Sequence, residues 1–215
     1  AITHAENMIA EGVDIIDIGG ESTRPGSPPV SVEEELSRVM PVIYALRDCG
    51  KPLSLDTRRA VVMREAIAAG IDMINDIEGF RNEDSLRAVS ESDCGLCIMH
   101  MQGEPQTMQQ HPHYVNVVTE VSTFLSKRVA AAEMAGITRD RICIDLGFGF
   151  GKTLQHNLDL LAHSEMIQSE LRLPLLAGLS RKSMIGQITG KPVEQRLAGS
   201  LAAVSYTHLT LPTKA

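Results

Sequence analysis

Three loops of this sequence concentrate side chains that can do chemistry. In residues 19–26, Gly-Gly-Glu-Ser-Thr-Arg-Pro-Gly, paired glycines let a ligand approach the backbone, and Thr23 and Arg24 can donate hydrogen bonds to phosphate oxygens. Residues 178–183, Gly-Leu-Ser-Arg-Lys-Ser, place a hydroxyl and two cations directly after an apolar run. A solvated loop seldom gathers such groups at the end of a strand, which favours a binding role for this second loop. For the first loop, a flexible segment with a solvated arginine is an equally good interpretation.

The third loop, residues 145–153, has the sequence Asp-Leu-Gly-Phe-Gly-Phe-Gly-Lys-Thr. A phosphate-binding P-loop requires glycine where Leu146 stands, and the Gly-x-Gly-x-x-Gly spacing of a dinucleotide site is absent. An acid followed by a glycine/phenylalanine loop better suits a flat heterocycle, because the carboxylate accepts N–H groups while an aromatic ring packs nearby. We therefore predict that Asp145 binds such a ring.

Two further polar residues, Asp56 and Asn75, end apolar runs of their own. A lone acid at the end of a strand is often only a helix cap. Two carboxylates and an amide at one opening would instead form an acceptor-rich pocket for a ligand with a guanidine-like N–H edge. The sequence thus predicts that Asp56, Asn75 and Asp145 converge on one small molecule.

Other reactive residues have simpler interpretations. Cys94 and Cys97 have the spacing of a metal or redox pair, but no second pair or nearby histidine completes a zinc site, so buried thiols are favoured. His111 and His113 lie in a polar, glutamine-rich stretch typical of a loop. The pair at residues 58–59, Arg-Arg, is interpreted as a surface pair at the start of a helix.

The elements that position these residues alternate between two patterns. Six short apolar runs, flanked by Gly, Pro or Asp, are typical of buried strands and lie at residues 13–18, 53–55, 73–77, 96–99, 142–146 and 175–179. Amphipathic stretches between them predict helices after a Ser31/Glu34 capping box, over residues 59–69 up to Gly70, after Asn116 up to Gly136, and over residues 157–171 and 192–204. Such alternation predicts a parallel sheet with right-handed crossovers.

The sheet could be an open doubly wound sheet or a closed barrel. An open sheet gathers its ligand groups mainly at one crevice, whereas a barrel collects them from many strand ends onto one face. Polar, reactive residues follow nearly every apolar run here, which favours the barrel. Six strands are visible where a barrel needs eight, so we expect an incomplete barrel.

Composition limits the classes of partner. The 215 residues carry a net charge of −7, which disfavours nucleic acid and anionic membrane surfaces. No apolar stretch reaches the roughly 20 residues of a membrane span, and no signal peptide opens the chain. Four cysteines without disulfide-dense spacing indicate a reducing, cytoplasmic compartment.

Six motifs, in order and spacing, resemble the dihydropteroate synthases, a family of pterin-binding enzymes. They occupy residues 17–26, 54–57, 74–76, 99–103, 145–152 and 178–186, and the resemblance covers about residues 1–204. It implies a TIM (β/α)8 barrel with its site at the C-terminal face of the strands. It also implies an activity in folate biosynthesis: 6-hydroxymethyl-7,8-dihydropterin pyrophosphate and p-aminobenzoate condense to 7,8-dihydropteroate and pyrophosphate. Sulfonamides, which imitate p-aminobenzoate, usually target this family.

The resemblance also assigns roles to residues. Those expected to bind the pterin are Asp56, Asn75, Ile77, Met99, Asp145, Gly178 and Lys182. Those expected to border p-aminobenzoate are Thr23, Pro25, Phe150, Ser180 and Lys182, while Thr23 and Arg24 would contact the pyrophosphate. Lys182, Asp56 and Asp145 would be the catalytic residues. Mg²⁺ would assist departure of pyrophosphate, with no protein ligand for it in this chain. A homodimer is expected.

The sequence departs from the family pattern in three places. Leu146 replaces a proline, which we judge minor. The first and eighth strands of the barrel are absent, and residues 205–215 do not continue the family, which predicts a domain over 1–204 and a non-family tail left by cloning or sequence read-through. We expect the chain by itself to be inactive or poorly folded, because two strand edges stay unpaired. We also expect that restoring both strands would confer activity.

Two other functions fit the same barrel. A pterin-binding methyltransferase shares the Asp/Asn grip on the pterin but should lack the Ser-Thr-Arg-Pro-Gly and Ser-Arg-Lys loops, and both loops are present here. A non-catalytic remnant would bind pterin without turnover.

Overall fold

A computed structural model describes residues 1–208 as strands and helices in alternation. The strands are β1 (Ile16–Gly19), β2 (Leu53–Asp56), β3 (Met73–Asp76), β4 (Gly95–Met99), β5 (Ile142–Asp145) and β6 (Leu175–Leu176). The α-helices are α1 (Ile2–Ala10), α2 (Val32–Leu46), α3 (Ala60–Ala69), α4 (Glu83–Ser90), α5 (Val117–Met134), α6 (Leu154–Ala162), α7 (Ser164–Leu171), α8 (Ser183–Thr189) and α9 (Leu197–His208). Two 3₁₀ turns, Arg139–Arg141 and Val193–Gln195, precede β5 and α9.

All six strands are parallel and pair in chain order, from β1 to β6. An open doubly wound sheet would reverse its strand order at a switch point, whereas a barrel keeps strand neighbours consecutive. The sheet curls as part of a barrel, with β1 and β6 at its two edges within residues 1–208. The predicted barrel class, incomplete by two strands, is confirmed.

Most helix termini follow local signals in the sequence. The side chain of Ser31 accepts from the Glu34 N–H at 3.1 Å and that of Asn116 from the Thr119 N–H at 3.0 Å, so both cap their helices. The capping box predicted at Ser31 is only half formed, because the Glu34 carboxylate accepts from Arg38 Nε at 2.9 Å instead. Gly70 ends α3 in the left-handed conformation, at φ +97°.

The predicted helix over residues 157–171 is instead two helices, α6 and α7. Helix α6 begins earlier than predicted because Thr153 and His156 form a capping box. It breaks at His163, where the Ser164 hydroxyl donates to the Leu161 carbonyl at 2.9 Å and so competes with the helical bonding pattern. The short helices α4 and α8, of 8 and 7 residues, have no counterpart in the prediction.

The sheet has two chemically different faces because side chains alternate along a strand. One face packs under the helices, with the aliphatic residues Leu53, Leu55, Ile74, Leu96, Ile98, Ile142 and Ile144 fully or almost fully buried. The other face lines the inside of the curled sheet. All four cysteines are free thiols, and Cys94 and Cys97 are buried, as expected from their place in the sequence.

Helix α9 continues to His208, past the predicted domain end at 204. Residues 209–215 of the predicted tail lie outside the described residues, and the boundary stays a prediction. In the part of the chain that the structure describes, no helix is both long and apolar enough to span a bilayer.

Candidate active site

The polar residues at the strand ends lie side by side on the inner face. Asp56 is paired in register with Gly19 on one side and with Asn75 on the other. Asp145 is paired with Met99 and with Leu176. Since neighbouring strands lie about 5 Å apart, Asp56 and Asn75 are immediate neighbours, and Asp145 stands two strands beyond Asn75 on the same rim.

Lys182 completes this group from the segment after β6. Its Nζ donates to the Phe148 carbonyl at 2.7 Å and lies 4.4 Å from the centre of the Phe150 ring. Burial lowers the pKa of Lys182, while the charges of Asp145 and Asp56 act to raise it. Among the described residues the amine makes no direct ion pair with either acid but lies within electrostatic range of both, so the structure brings Asp56, Asn75, Asp145 and Lys182 to the same end of the sheet.

The acids of this group are held in a poorly solvated setting. Burial, together with the negative charges of Asp17, Asp76 and Glu35, raises the pKa of Asp56 to about 8, against a smaller opposite effect of Lys182. Burial also raises the pKa of Asp145, although the Gly147 N–H donates to it at 2.7 Å. The site therefore gains when a ligand supplies N–H donors or positive charge to these two carboxyls.

The side-chain amide of Asn75 shows an unmet requirement. Its Oδ1 is buried and accepts no hydrogen bond from the described residues. A buried carbonyl without a donor costs free energy, and native structures rarely leave one without a reason. A ligand N–H directed at this oxygen would remove that cost.

An apolar cluster borders the polar group. It contains Ile77, Met99, Met101 and Met108, all buried, with Phe150 packed against them. Gly178 faces the same space, because a Cβ built there would lie 3.5 Å from Oδ2 of Asp145. The combination of flexible thioethers, one ring and no side chain at 178 fits a flat ligand.

Two residues of the site were not predicted, Lys152 and His100. Lys152 is only 3% exposed, and its Nζ donates to the carbonyls of Gly147 and Phe150 at 2.8 and 3.0 Å. Burial lowers the pKa of Lys152 to about 7 and that of His100 to about 3, and the two nitrogens lie 3.0 Å apart. Neutral His100 thus accepts a hydrogen bond from Lys152, which fixes the glycine/phenylalanine loop to the end of β4.

The glycine/phenylalanine loop is also fixed by steric constraint. Gly147 has φ +65°, and a Cβ there would stand 1.8 Å from the His100 carbonyl oxygen, so no other residue fits. Leu146, the departure from the family pattern, is fully buried in the main core.

The remaining predicted site residues lie in the segments that follow β1 and β6. Thr23 is half-buried and lines a cavity of about 260 Å³. Arg24, Pro25 and Ser180 are exposed, and none of their side chains makes a hydrogen bond or ion pair with another residue of the range 1–208. Contact of these four residues with a ligand therefore stays a prediction.

The interpretation of Arg58 and Arg59 as a surface pair is wrong. Their side chains are 24% and 18% exposed and form ion pairs with Glu21, Glu35 and Glu78 at 2.6–3.4 Å. The partners lie 20 or more residues away in sequence, so no local pattern could reveal them.

Residues 1–208 contain no group of three or more His, Cys, Asp or Glu side chains that could hold a metal ion. The described acids are arranged around an amine and an amide instead.

Comparisons with known proteins agree with this geometry. A family model described as pterin binding enzyme matches residues 1–210. A dihydropteroate synthase of Neisseria meningitidis serogroup C is 50% identical over 206 residues, which is 94% of this chain and 73% of that protein.

Two crystal structures of dihydropteroate synthases are also similar. That of Burkholderia cenocepacia, complexed with 7,8-dihydropteroate, has a TM-score of 0.89 and 52% identity, covering 96% of this chain and 76% of its own. That of Yersinia pestis, complexed with a sulfonamide drug, has a TM-score of 0.92 and 43% identity, covering 96% and 75%. The chain belongs to the pterin-binding enzyme family and, within it, to the dihydropteroate synthases.

Proposed function

We propose that this protein condenses 6-hydroxymethyl-7,8-dihydropterin pyrophosphate with p-aminobenzoate, giving 7,8-dihydropteroate and pyrophosphate. The observation that carries the proposal is the grouping of Asp56, Asn75, Asp145 and Lys182 on one rim, with the buried Asn75 Oδ1 lacking a donor. The amino-pyrimidinone edge of a pterin supplies the N–H groups that this set of acceptors requires.

The same residues fit the chemical steps. The C–O bond to pyrophosphate breaks, the pterin methylene becomes cationic, and the arylamine nitrogen attacks it and then loses a proton. Asp56 and Asp145 orient the ring and stabilise the positive charge, while Lys182 provides a cation beside the site. Phe150, next to Lys182, offers a ring face on which p-aminobenzoate can stack.

The exposed loop residues complete the proposed site. Thr23, Pro25 and Ser180 would border p-aminobenzoate, and Thr23 with Arg24 would hold the pyrophosphate. Ile77, Met99 and Gly178 would line the pterin slot, consistent with the apolar cluster beside Asp145.

Mg²⁺ is proposed only as an ion that would arrive with the diphosphate, since Mg²⁺ is commonly held by substrate phosphates and few protein groups. The described residues form no cluster that fits it, and no step above depends on it.

The test is formation of dihydropteroate. Purified protein is incubated with both substrates, alone and as a chimera extended at each end with the flanking segments of the Neisseria meningitidis relative. We expect turnover by the chimera, with inhibition by a sulfonamide that competes with p-aminobenzoate. Pterin binding without turnover by the chimera would support the non-catalytic alternative, and methyl transfer would support the methyltransferase.

Three further proposals accompany this function. We infer a homodimer, a cytoplasmic location and a domain that ends at residue 204. Sedimentation of the chimera, fractionation of cells and deletion of residues 205–215 test them in turn.

A further inference from the structure

One guanidinium joins the segments that follow three other strands. Arg58 lies two residues after the end of β2. Its Nη1 is 2.9 Å from Glu78 Oε1 and 3.5 Å from Glu104 Oε2, and its Nε is 3.4 Å from Glu21 Oε2. Glu21, Glu78 and Glu104 come after β1, β3 and β4 respectively. Arg58 therefore contacts the connections at the C-terminal ends of four consecutive strands, its own included.

The neighbouring Arg59 fixes the base of the loop at residues 22–29. Its Nη2 is 3.1 Å from Glu21 Oε1 and also donates to the Val30 carbonyl. The same carboxylate oxygen of Glu21 accepts from the Val30 N–H at 3.2 Å. Both ends of the loop are thus held by one carboxylate and two guanidinium groups. This loop carries Thr23, Arg24 and Pro25, the residues assigned to p-aminobenzoate and pyrophosphate.

The three ion pairs of Arg58 differ in their exposure to solvent. Arg58, Glu21 and Glu78 are largely shielded from solvent, whereas Glu104 is 64% exposed. Shielded ion pairs are screened less by salt and are costlier to break than exposed ones. Arg58, Glu104 and Thr23 also line the same cavity, to which residues of both loops contribute.

We propose that Arg58 is a positioning residue that couples the loop of residues 22–29 to the segments 77–81 and 101–110. The consequence for catalysis rests on the function proposed above. The loop that would hold p-aminobenzoate becomes ordered together with the segment that supplies Met101 and Met108 to the apolar cluster. Arg58 touches neither Asn75 nor Lys182 and acts on the substrate through Glu21, Glu78 and Glu104.

The first test is hydrogen–deuterium exchange on the protein and on Arg58→Met. We expect exchange roughly fivefold faster in residues 22–30, 77–81 and 101–110 together, because loops open with small local free energies. The matched control is Arg87→Met, since Arg87 is exposed and its one ion pair in the described range, with Asp84, is long at 3.9 Å. Faster exchange confined to the residues around position 58, or spread through all strands, would overturn the proposal.

A milder variant covers the case in which Arg58→Met does not fold. Glu104→Ala removes the exposed contact of the network and leaves Glu21 and Glu78 in place. We expect faster exchange in residues 101–110 with little change in 77–81. Unchanged exchange in 101–110 would contradict the coupling.

The second test uses the active chimera. Arg58→Met should raise the KM for p-aminobenzoate roughly tenfold, because the loop that carries Thr23 and Arg24 must then be ordered on binding. The pterin dissociation constant should rise less, by about threefold, because segments 77–81 and 101–110 carry only Ile77, Met101 and Met108 of the apolar cluster. Arg58→Lys should restore part of the loss. An equal loss of pterin affinity would indicate a general structural role and refute the proposal. Exchange does not require turnover, so a failed synthase assay with a positive exchange result would reject the proposed function and not the coupling.

Discussion

Two acids, the buried Asp76 and the half-buried Asp56, end neighbouring strands and have opposite environments. Asp76, at the end of β3, lies on the helix side and accepts from the N–H groups of Glu78 and Phe80, both at 2.8 Å. Asp56, at the end of β2, lies on the inner side, and no described residue donates a hydrogen bond to its carboxyl. Burial raises the pKa of both, to about 6 for Asp76 and about 8 for Asp56. The acid already satisfied by the protein has a structural environment, and we expect the one left open to bind a ligand.

Two lysines, the buried Lys152 and the half-buried Lys182, repeat this difference. Lys152 is surrounded by backbone carbonyls and His100, which leaves it no capacity for a substrate. Lys182 donates to one carbonyl, that of Phe148, and rests on the Phe150 ring beside the two acids. The difference between satisfied and open polar groups can be tested at each position.

The largest effect is expected from removing the satisfied lysine. Lys152→Met removes the buried cation that donates to the carbonyls of Gly147 and Phe150, and only the Gly147 carbonyl keeps a second described donor, the Phe150 N–H at 3.0 Å. The loss should lower the free energy of unfolding by about 3 kcal/mol. Denaturant unfolding measures the change, with Lys127→Met, at an exposed helical position, as the control. A loss no larger than that of the control would mean that Lys152 is not a structural cation.

The next largest effect separates the two acids. Asp56→Asn should weaken pterin binding about 100-fold, because a carboxylate accepting N–H groups from a ligand is lost from a buried site. Asp76→Asn keeps an acceptor oxygen for only one of the N–H groups of Glu78 and Phe80, so it should lower stability by about 1–3 kcal/mol while changing pterin affinity by no more than about threefold. Calorimetric titration measures the affinities. Equal losses for the two variants would contradict the assignment of opposite roles.

A smaller effect follows from the pKa of Asp56. This pKa is raised from 3.8 to about 8 in the free protein, so below pH 8 the carboxyl must release a proton when it accepts N–H groups from a pterin. Pterin affinity should therefore rise with pH by up to about tenfold per unit and level off above pH 8. The sign for stability is the reverse: an acid with a raised folded pKa stabilises at low pH, and this contribution falls as pH rises from 3.8 to about 8. Titrations at several pH values should show the affinity slope in the protein and not in Asp56→Asn.

Local patterns in the sequence were sufficient for part of this structure. Six strands and the positions of Asp56, Asn75 and Asp145 follow from short apolar runs and from the polar residues that end them. The ion-pair network of Arg58 was missed because its partners Glu21, Glu78 and Glu104 are 37, 20 and 46 residues away in sequence.

Burial was the other property that sequence patterns did not reveal. The Gly-Lys pair at residues 151–152 raised the question of a phosphate-binding loop, which the spacing of the glycines excluded. Nothing in the pattern indicated that the lysine would be enclosed by carbonyls from two loops. The break between α6 and α7 depends on one serine hydroxyl, too small a signal against a continuous amphipathic pattern.

The smallest expected change in stability sharpens the comparison most. Asn75 already lacks a donor for its buried Oδ1, so Asn75→Leu removes a cost from the free protein and fills a similar volume. Stability should stay the same or rise by up to about 1 kcal/mol, while pterin affinity falls roughly tenfold. Thermal and denaturant unfolding with parallel pterin titration measure both quantities, and Asn157→Leu, which removes an amide that accepts from Gly149 N–H at 2.8 Å, is the contrasting variant that should lose stability. A destabilised Asn75→Leu protein would mean that the amide is satisfied within the fold, and the inner face would then lose the feature that most directly indicates a ligand.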